Sequence, residues 1–109
     1  MVQKRGRNQN LNDQAEVGGG IELNSTTSIV IAAANPERTV FHVNNNDSLR
    51  SCWIKLQPAA ADDDKKGIYL SGSTRDGAKS WDMPSDNIYT GEISAIAEQG
   101  TPTVYVTEY

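Results

Sequence analysis

The amino-acid sequence predicts an all-β protein, with a single β-sandwich or jelly-roll-like barrel over residues 21–109 and an extended N-terminal arm over residues 1–20. Three observations predict this fold class. Short runs rich in β-branched and aromatic residues recur from residue 21 onward, clusters of Gly, Pro, Asn and Asp separate them, and no stretch shows helical periodicity. A chain of 109 residues suits one compact domain.

The N-terminal arm differs in composition from the rest of the chain. It is rich in Asn, Gln and Gly and contains three of the 21 Ile, Val, Leu and Phe residues. Such a segment buries too little apolar area to offset its ordering entropy, so we expect a neighbouring molecule to supply any fixed conformation. Because Lys4, Arg5 and Arg7 outnumber its two acidic residues, the arm has a net charge of +1, against −5 for the remaining residues.

Eight strands follow the arm. In chain order we predict them at residues 21–23, 28–33, 39–44, 51–57, 67–70, 78–81, 92–97 and 103–108. Alternation of apolar and polar residues is clearest in the third, fourth and eighth of these strands. In the fourth, Cys52, Ile54 and Leu56 alternate with Trp53 and Lys55, which predicts that the first three share one buried face.

The segments between the predicted strands have the composition of turns. Residues 44–47, 76–77 and 99–100 supply Asn, Asp and Gly, which tolerate positive φ or make local side-chain turns. The longest connection, residues 58–66, is either an exposed loop or a single helical turn, and its composition favours the loop.

Residues suited to catalysis or metal binding are sparse. Cys52 is the single cysteine, which excludes an internal disulfide and a thiolate zinc cluster, and its apolar neighbours indicate a buried thiol. His42 is the single histidine and lies mid-strand, where it fits surface or interface packing. The acidic run at residues 62–64 lacks the spacing of a calcium-binding loop and fits a solvated connection. We therefore expect no enzyme activity, no cofactor and no bound metal.

The charge balance disfavours nucleic acid as a partner, and the hydropathy pattern excludes a membrane span. A net charge of −4 makes the whole chain a poor binder of nucleic acid. No apolar stretch approaches the roughly 18 residues that a membrane span needs, and the polar start lacks the apolar segment of a signal peptide. We expect neither nucleic acid nor a membrane as a partner.

Four residues are candidates for an interface with another protein. Trp53 and Trp81 lie among polar neighbours, as interface anchors do, although small sandwiches also use such rings as core fillers. Arg38 either pairs with an acidic residue at a strand end or lies solvated at a sheet edge. Tyr109 completes the candidate interface.

Four segments have an order and spacing that resemble small structural proteins of tailed-bacteriophage virions: residues 33–38, 67–70, 89–97 and 104–109. The resemblance implies a non-enzymatic β-sandwich module of the capsid decoration (cement) or head-fibre-base type. Such a protein binds the major capsid protein on the outer surface of the assembled head, commonly as a homotrimer, and stabilises the shell by bridging its subunits. The implied location is the virion, after synthesis in the host cytoplasm.

Under this resemblance, the arm contacts the capsid. The arm residues that we expect to make this contact are Lys4, Arg5, Arg7, Asn8 and Leu11. An alternative function is a receptor- or carbohydrate-binding module, or another minor component of the tail, neck or head fibre, in which Trp53, Trp81 and the tyrosines form a sugar-stacking surface.

Overall fold

A computed structural model of the chain describes residues 20–109, so residues 1–19 of the predicted arm lie outside the described part. The described residues form eight β-strands and one short 3-10 turn, Ala59–Ala61. The strands are β1 (Ile21–Glu22), β2 (Ile29–Ala32), β3 (Phe41–Asn45), β4 (Cys52–Lys55), β5 (Ile68–Leu70), β6 (Ser80–Asp82), β7 (Ile93–Ala97) and β8 (Thr103–Glu108).

The strands form two four-stranded antiparallel sheets. Sheet A has the order β1-β8-β3-β6, and sheet B has the order β2-β7-β4-β5. Along the chain, the first strand pairs with the eighth, the second with the seventh, the third with the sixth and the fourth with the fifth. This nested pairing is that of one long hairpin folded over on itself, which is the arrangement of an eight-stranded jelly roll. The prediction of a β-sandwich or jelly-roll-like barrel is confirmed.

The hydrophobic core lies between the two sheets. Fully buried side chains from sheet A include Phe41, Val43 and Val104, and those from sheet B include Ile54 and Leu70. Because successive strand residues point to opposite faces, this set places His42 of β3 and Thr107 of β8 on the outside of sheet A, whereas the polar Asn45 of β3 is buried on the core side. The alternation predicted for the third and eighth strands therefore places the core correctly.

The central strand β7 is buried on both of its faces. All five of its residues are buried, including Ser94 and Ile96, which alternate with the core-facing residues and so point to the outside of sheet B. The connection after β4 covers this outer side, because the Oγ of Ser94 donates a hydrogen bond of 2.9 Å to the carbonyl of Gln57. The outer face of sheet B is thus closed over β7 and over Lys55 of β4, whereas Tyr69 of β5 is exposed on it.

Each predicted strand is present, with bounds within two residues of the prediction. The expected burial fails at the end of β4, where Leu56 is 39% exposed and Lys55 is 2% exposed. Pairing of β4 ends at Lys55, so Leu56 is no longer held in the alternation. The Lys55 ammonium is buried because it gains hydrogen-bond partners there, and the prediction of a buried Leu56 is wrong.

The connection over residues 58–66 is mostly exposed, as we expected, but it contains the single helical turn that was the alternative, and it folds back onto sheet B. The backbone N–H of Ser28 donates to Oδ1 of Asp63 at 2.7 Å, and its hydroxyl donates to the carbonyl of Asp62 at 2.9 Å. Asp64 remains largely exposed, as predicted for the acidic run. Across residues 20–109, no helix has the length and apolar character to span a bilayer.

Candidate functional site

Arg38 lies in the connection between β2 and β3 and is 3% exposed. Its Nε donates a hydrogen bond of 2.8 Å to Oε2 of Glu108. Its Nη1 donates to the carbonyls of Tyr89 and Gly91, at 2.7 and 3.0 Å, and its Nη2 donates to the carbonyl of Ala33 at 2.8 Å. The guanidinium therefore joins the end of β8 to the connections before β3 and before β7.

These contacts decide between the two alternatives for Arg38. It pairs with an acidic residue at a strand end, and it does not lie solvated at a sheet edge. Its guanidinium carbon also lies 5.6 Å from the ring centroid of Phe41, within the range of a cation–π contact. Because its side chain is 0% exposed, Arg38 has no surface to present to a partner and acts instead as an internal cross-link.

Trp81 and Tyr109 also make contacts within the chain. Trp81 lies on the edge strand β6 and packs against the core, with its ring centroid 6.3 Å from that of Phe41. Its partial burial favours the core-filler alternative. The backbone N–H of Tyr109 donates to the carbonyl of Val40 at 3.1 Å, and its carbonyl accepts from the N–H of Thr39 at 2.8 Å. These bonds extend the pairing of β3 and β8 beyond the end of β8.

Trp53 lies elsewhere, on the outer face of sheet B. It pairs with Tyr69 across β4 and β5, with ring centroids 4.6 Å apart and ring planes at 58°. Tyr69 is 42% exposed, and its hydroxyl donates a hydrogen bond of 3.0 Å to Oε1 of Glu98. We call Trp53, Tyr69 and Glu98 the aromatic surface. Tyr and Trp side chains are enriched at protein interfaces.

The sequence prediction included Trp53 but missed Tyr69. Alternation within β5 sets Tyr69 opposite Ile68 and Leu70, which is a local signal that its ring points outward. No local pattern identifies the strand that lies beside β5. The pairing of Tyr69 with Trp53 depends on that long-range choice of neighbour and on its register.

The buried Lys55 and the partly exposed Asp62 form an ion pair that anchors the covering connection. The Lys55 Nζ donates to Oδ1 of Asp62 at 2.8 Å and to Oγ of Ser28 at 2.9 Å. The Nζ of Lys66 lies 3.0 Å from Oδ2 of the same carboxylate. Hydrogen bonds from Lys55 and then from Lys66 hold the pKa of Asp62 well below its ordinary value. This network fixes the connection against the outer side of sheet B.

His42 lies on the outer face of sheet A, where the sequence predicted surface or interface packing. Its Nδ1 lies 2.7 Å from Oδ1 of Asp82, a carboxylate partner that the pairing of β3 with β6 supplies. The two side chains are 37% and 78% exposed. Side-chain contacts this exposed contribute little to the free energy of unfolding, so we assign this one no structural role.

Cys52 is a fully buried free thiol, which confirms the sequence prediction. Burial raises the pKa of this thiol to about 12, so the reactive thiolate is absent near neutral pH. Within the part of the chain that the structure describes, no three His, Cys, Asp or Glu side chains form a group that could hold a metal ion.

The predicted contacts of the arm and the similarity of the chain to known proteins remain to be described. The predicted arm contacts, Lys4, Arg5, Arg7, Asn8 and Leu11, lie outside the described residues. The chain matches no protein-family model, no curated protein and no solved structure. The functional interpretation therefore rests on the resemblance of its segments and on the geometry of the folded domain.

Proposed function

We propose that this protein is a bacteriophage capsid decoration protein. It binds the major capsid protein on the outer surface of the assembled head and stabilises the shell by bridging neighbouring subunits. A homotrimer is the assembly that fits this role. The N-terminal arm and the aromatic surface are the proposed contacts, and the protein performs no catalysis.

The observation that carries the proposal is the way in which Arg38 connects the segments that resemble phage virion proteins. Its guanidinium contacts atoms in residues 33–38, 89–97 and 104–109. The fourth segment, residues 67–70, contains β5 and supplies Tyr69 to the aromatic surface. The resemblance therefore involves one connected unit of the fold and one exposed surface, which supports a shared role more strongly than four unrelated turns would.

The fold and the core size are consistent with this role. Jelly rolls occur in viral capsid proteins and in lectins, although fold alone does not assign function. The core is small, because only 21 of the 109 residues are Ile, Val, Leu or Phe. Contacts that favour the folded state would add to the stability of such a domain by mass action.

The proposed mechanism is multivalent binding. Each chain offers a basic arm and a folded body, and a trimer multiplies both. Linking several weak contacts raises the effective concentration of each one, so occupancy on a repeating surface exceeds that on a single capsid subunit. Separation of adjacent capsomers then requires loss of these bridges.

The proposal is tested by purifying phage particles from a lysate that contains the chain. We expect the chain to co-sediment with heads in a copy number that is stoichiometric and compatible with the shell symmetry. A few copies per particle would place it in the neck, tail or fibre. Absence from particles would overturn the proposal. Deletion of residues 1–20 is expected to lower the copy number strongly, and unchanged occupancy would remove the arm from the mechanism.

A carbohydrate-binding module is the second candidate, favoured by the exposed ring of Tyr69 beside Trp53. Trp81 packs against the core, so Tyr69 is the residue of the expected sugar-stacking surface that we choose for the test. A glycan array with saturable binding that is lost in Tyr69→Ala would support this function. Tyr105→Ala is the matched control, because Tyr105 is 39% exposed on the opposite sheet.

A further inference from the structure

Three connections at one end of the sandwich enclose an open groove. They are the connections from β3 to β4, from β5 to β6 and from β7 to β8. The groove has a volume of about 620 Å³, a size typical of ligand sites. The residues that line this groove, which we call the arginine groove, are Leu49, Arg50, Thr74, Arg75, Gln99 and Gly100.

The basic residues of the sandwich are unevenly neutralised. Arg38 and Lys55 are buried in ion pairs, and Lys66 pairs with carboxylates of the acidic run. In contrast, Arg50 and Arg75 have no carboxylate within ion-pair distance among residues 20–109. On a domain with an excess of acidic residues, two exposed guanidinium groups without such a partner meet in this groove.

The charged groups around the groove add one cation and place one carboxylate, that of Asp47, where it attracts Arg50 without forming an ion pair. The Nζ of Lys79 donates to the backbone carbonyls of Arg75 and Gly77 and so adds a third cation beside the groove. The carboxylate of Asp47 is engaged by backbone N–H groups, of which that of Arg50 contributes most to holding the pKa of Asp47 below its ordinary value. The carboxylate of Glu98 accepts a hydrogen bond from the hydroxyl of Tyr69 in the aromatic surface.

Hydrogen bonds hold two walls of the groove together. Thr74 donates to the carbonyl of Ser48 through both its N–H, at 3.0 Å, and its hydroxyl, at 2.6 Å. The Nη1 of Arg75 donates to the carbonyl of Leu49 at 3.1 Å. Leu49 itself is 58% exposed, so it offers an apolar contact next to the two arginines. Walls fixed in advance reduce the entropy lost on binding.

Gly100, in the third wall, lies directly against the side chain of Arg50. Its φ of +71° lies in the left-handed region, and a Cβ at this position would overlap the side chain of Arg50. Glycine therefore allows both the turn and the close approach of the guanidinium. Gly100 and Gln99 directly follow Glu98, so the arginine groove adjoins the aromatic surface.

We propose that the arginine groove binds an acidic peptide segment of a partner protein. Carboxylates of the segment accept paired hydrogen bonds from the planar guanidinium groups of Arg50 and Arg75. An apolar residue of the segment packs on Leu49. Charge complementarity favours this occupant. A nucleic acid would meet a domain with a net charge of −5 and gain few phosphate contacts. The inference rests on the proposed function for one point: the capsid shell is the partner that supplies the segment.

The probe is an acetylated, amidated peptide that alternates Glu and Leu, titrated into the ¹⁵N-labelled full chain. We expect saturable shifts of the backbone amides of Leu49, Gln99 and Gly100. The control peptide replaces each Glu with Gln and is expected to bind at least about tenfold more weakly, because it lacks the charge-assisted hydrogen bonds. Equal binding of the two peptides would overturn the proposal, and so would tighter binding of a DNA oligonucleotide.

Variants of the chain test the residues. Arg50→Glu and Arg75→Glu are expected to weaken binding of the acidic peptide at least about tenfold. The matched control is Lys65→Glu, which makes the same charge change at an exposed position outside the groove. If a charge-reversal variant folds poorly, Arg75→Lys replaces it. This variant keeps the positive charge but lacks the planar guanidinium, and it is still expected to weaken binding of the acidic peptide. An equal loss of affinity in Lys65→Glu would show that binding depends only on the net charge of the chain. That result would overturn the proposal that the peptide binds in the arginine groove.

Particle binding separates this inference from the proposed function. If the chain binds the acidic peptide but is absent from phage particles, the groove stands and the capsid role fails. If the chain decorates particles and Arg75→Glu does so equally well, the capsid role stands and the shell is not the partner of the groove.

Discussion

The Nε of Arg38 and the Oε2 of Glu108 lie 2.8 Å apart, although 70 residues separate them along the chain. The Arg38 side chain is 0% exposed and the Glu108 side chain 17%. Their contact ties the connection before β3 to the end of β8, at one end of sheet A. Removing one member of a buried ion pair leaves the other charge uncompensated, so the fold depends on both.

Arg38→Leu is therefore expected to lower the free energy of unfolding by about 3–5 kcal/mol, because it leaves Glu108 and three backbone carbonyls without their donor. Urea denaturation monitored by tryptophan fluorescence measures this change. The control Lys65→Leu, at an exposed lysine outside the ion pairs of the described residues, is expected to change it by about 0.5 kcal/mol or less. Similar values for the two variants would contradict the internal role of Arg38.

Asp62 is expected to make stability depend on pH. Because the pKa of Asp62 is lowered in the folded chain, its contribution is fully present above the ordinary value of 3.8 and is lost as the pH falls toward the folded-state pKa. Asp62→Asn should lower the free energy of unfolding at pH 6, and the difference from the unaltered chain should shrink on acidification to pH 3. Asp86→Asn, at an exposed acid outside any ion pair of the described residues, is the control. A difference that is constant with pH would contradict this assignment.

Cys52 is expected to resist thiol reagents in the folded protein. Burial of the side chain and the raised pKa of about 12 remove both access and thiolate. Incubation with iodoacetamide at pH 8 followed by mass measurement should show an unmodified chain, and addition of denaturant should give complete alkylation. Rapid modification without denaturant would show that the sandwich opens around β4.

Tyr69→Ala is expected to reduce occupancy on phage heads while leaving the fold intact, since the side chain is 42% exposed. Quantitative mass analysis of decorated particles measures this occupancy. Tyr105→Ala removes an equally exposed ring from sheet A and is expected to leave occupancy unchanged. The same loss in both variants would remove the aromatic surface from the proposed contact.

The comparison of sequence and structure separates local from long-range information. Composition and alternation predict all eight strands and the burial of Cys52, because these depend on neighbouring residues. The nested strand pairing has no local signal. The burial of Lys55 was likewise missed, because it requires Asp62 to return across the outer side of sheet B. Tyr69 joined the aromatic surface only through the register of β5 with β4.

The same distinction explains the arginines. The sequence offered an acidic partner at a strand end as one alternative for Arg38, and no pattern identified Glu108 as that residue. Arg50 and Arg75 belong to two different connections and meet only because the jelly roll brings these connections to one end. Sites assembled from turns at one end of a sandwich cannot be read from spacing along the chain.

The most direct test of the capsid role compares binding of the purified chain to undecorated phage heads and to unassembled major capsid protein. We expect saturable, stoichiometric binding to heads that is far tighter than binding to the free capsid protein, since assembled shells present several linked sites at once. Decorated heads should also release their DNA at a higher temperature than undecorated ones. Equal affinity for the two forms, or no binding to heads, would contradict the proposed function.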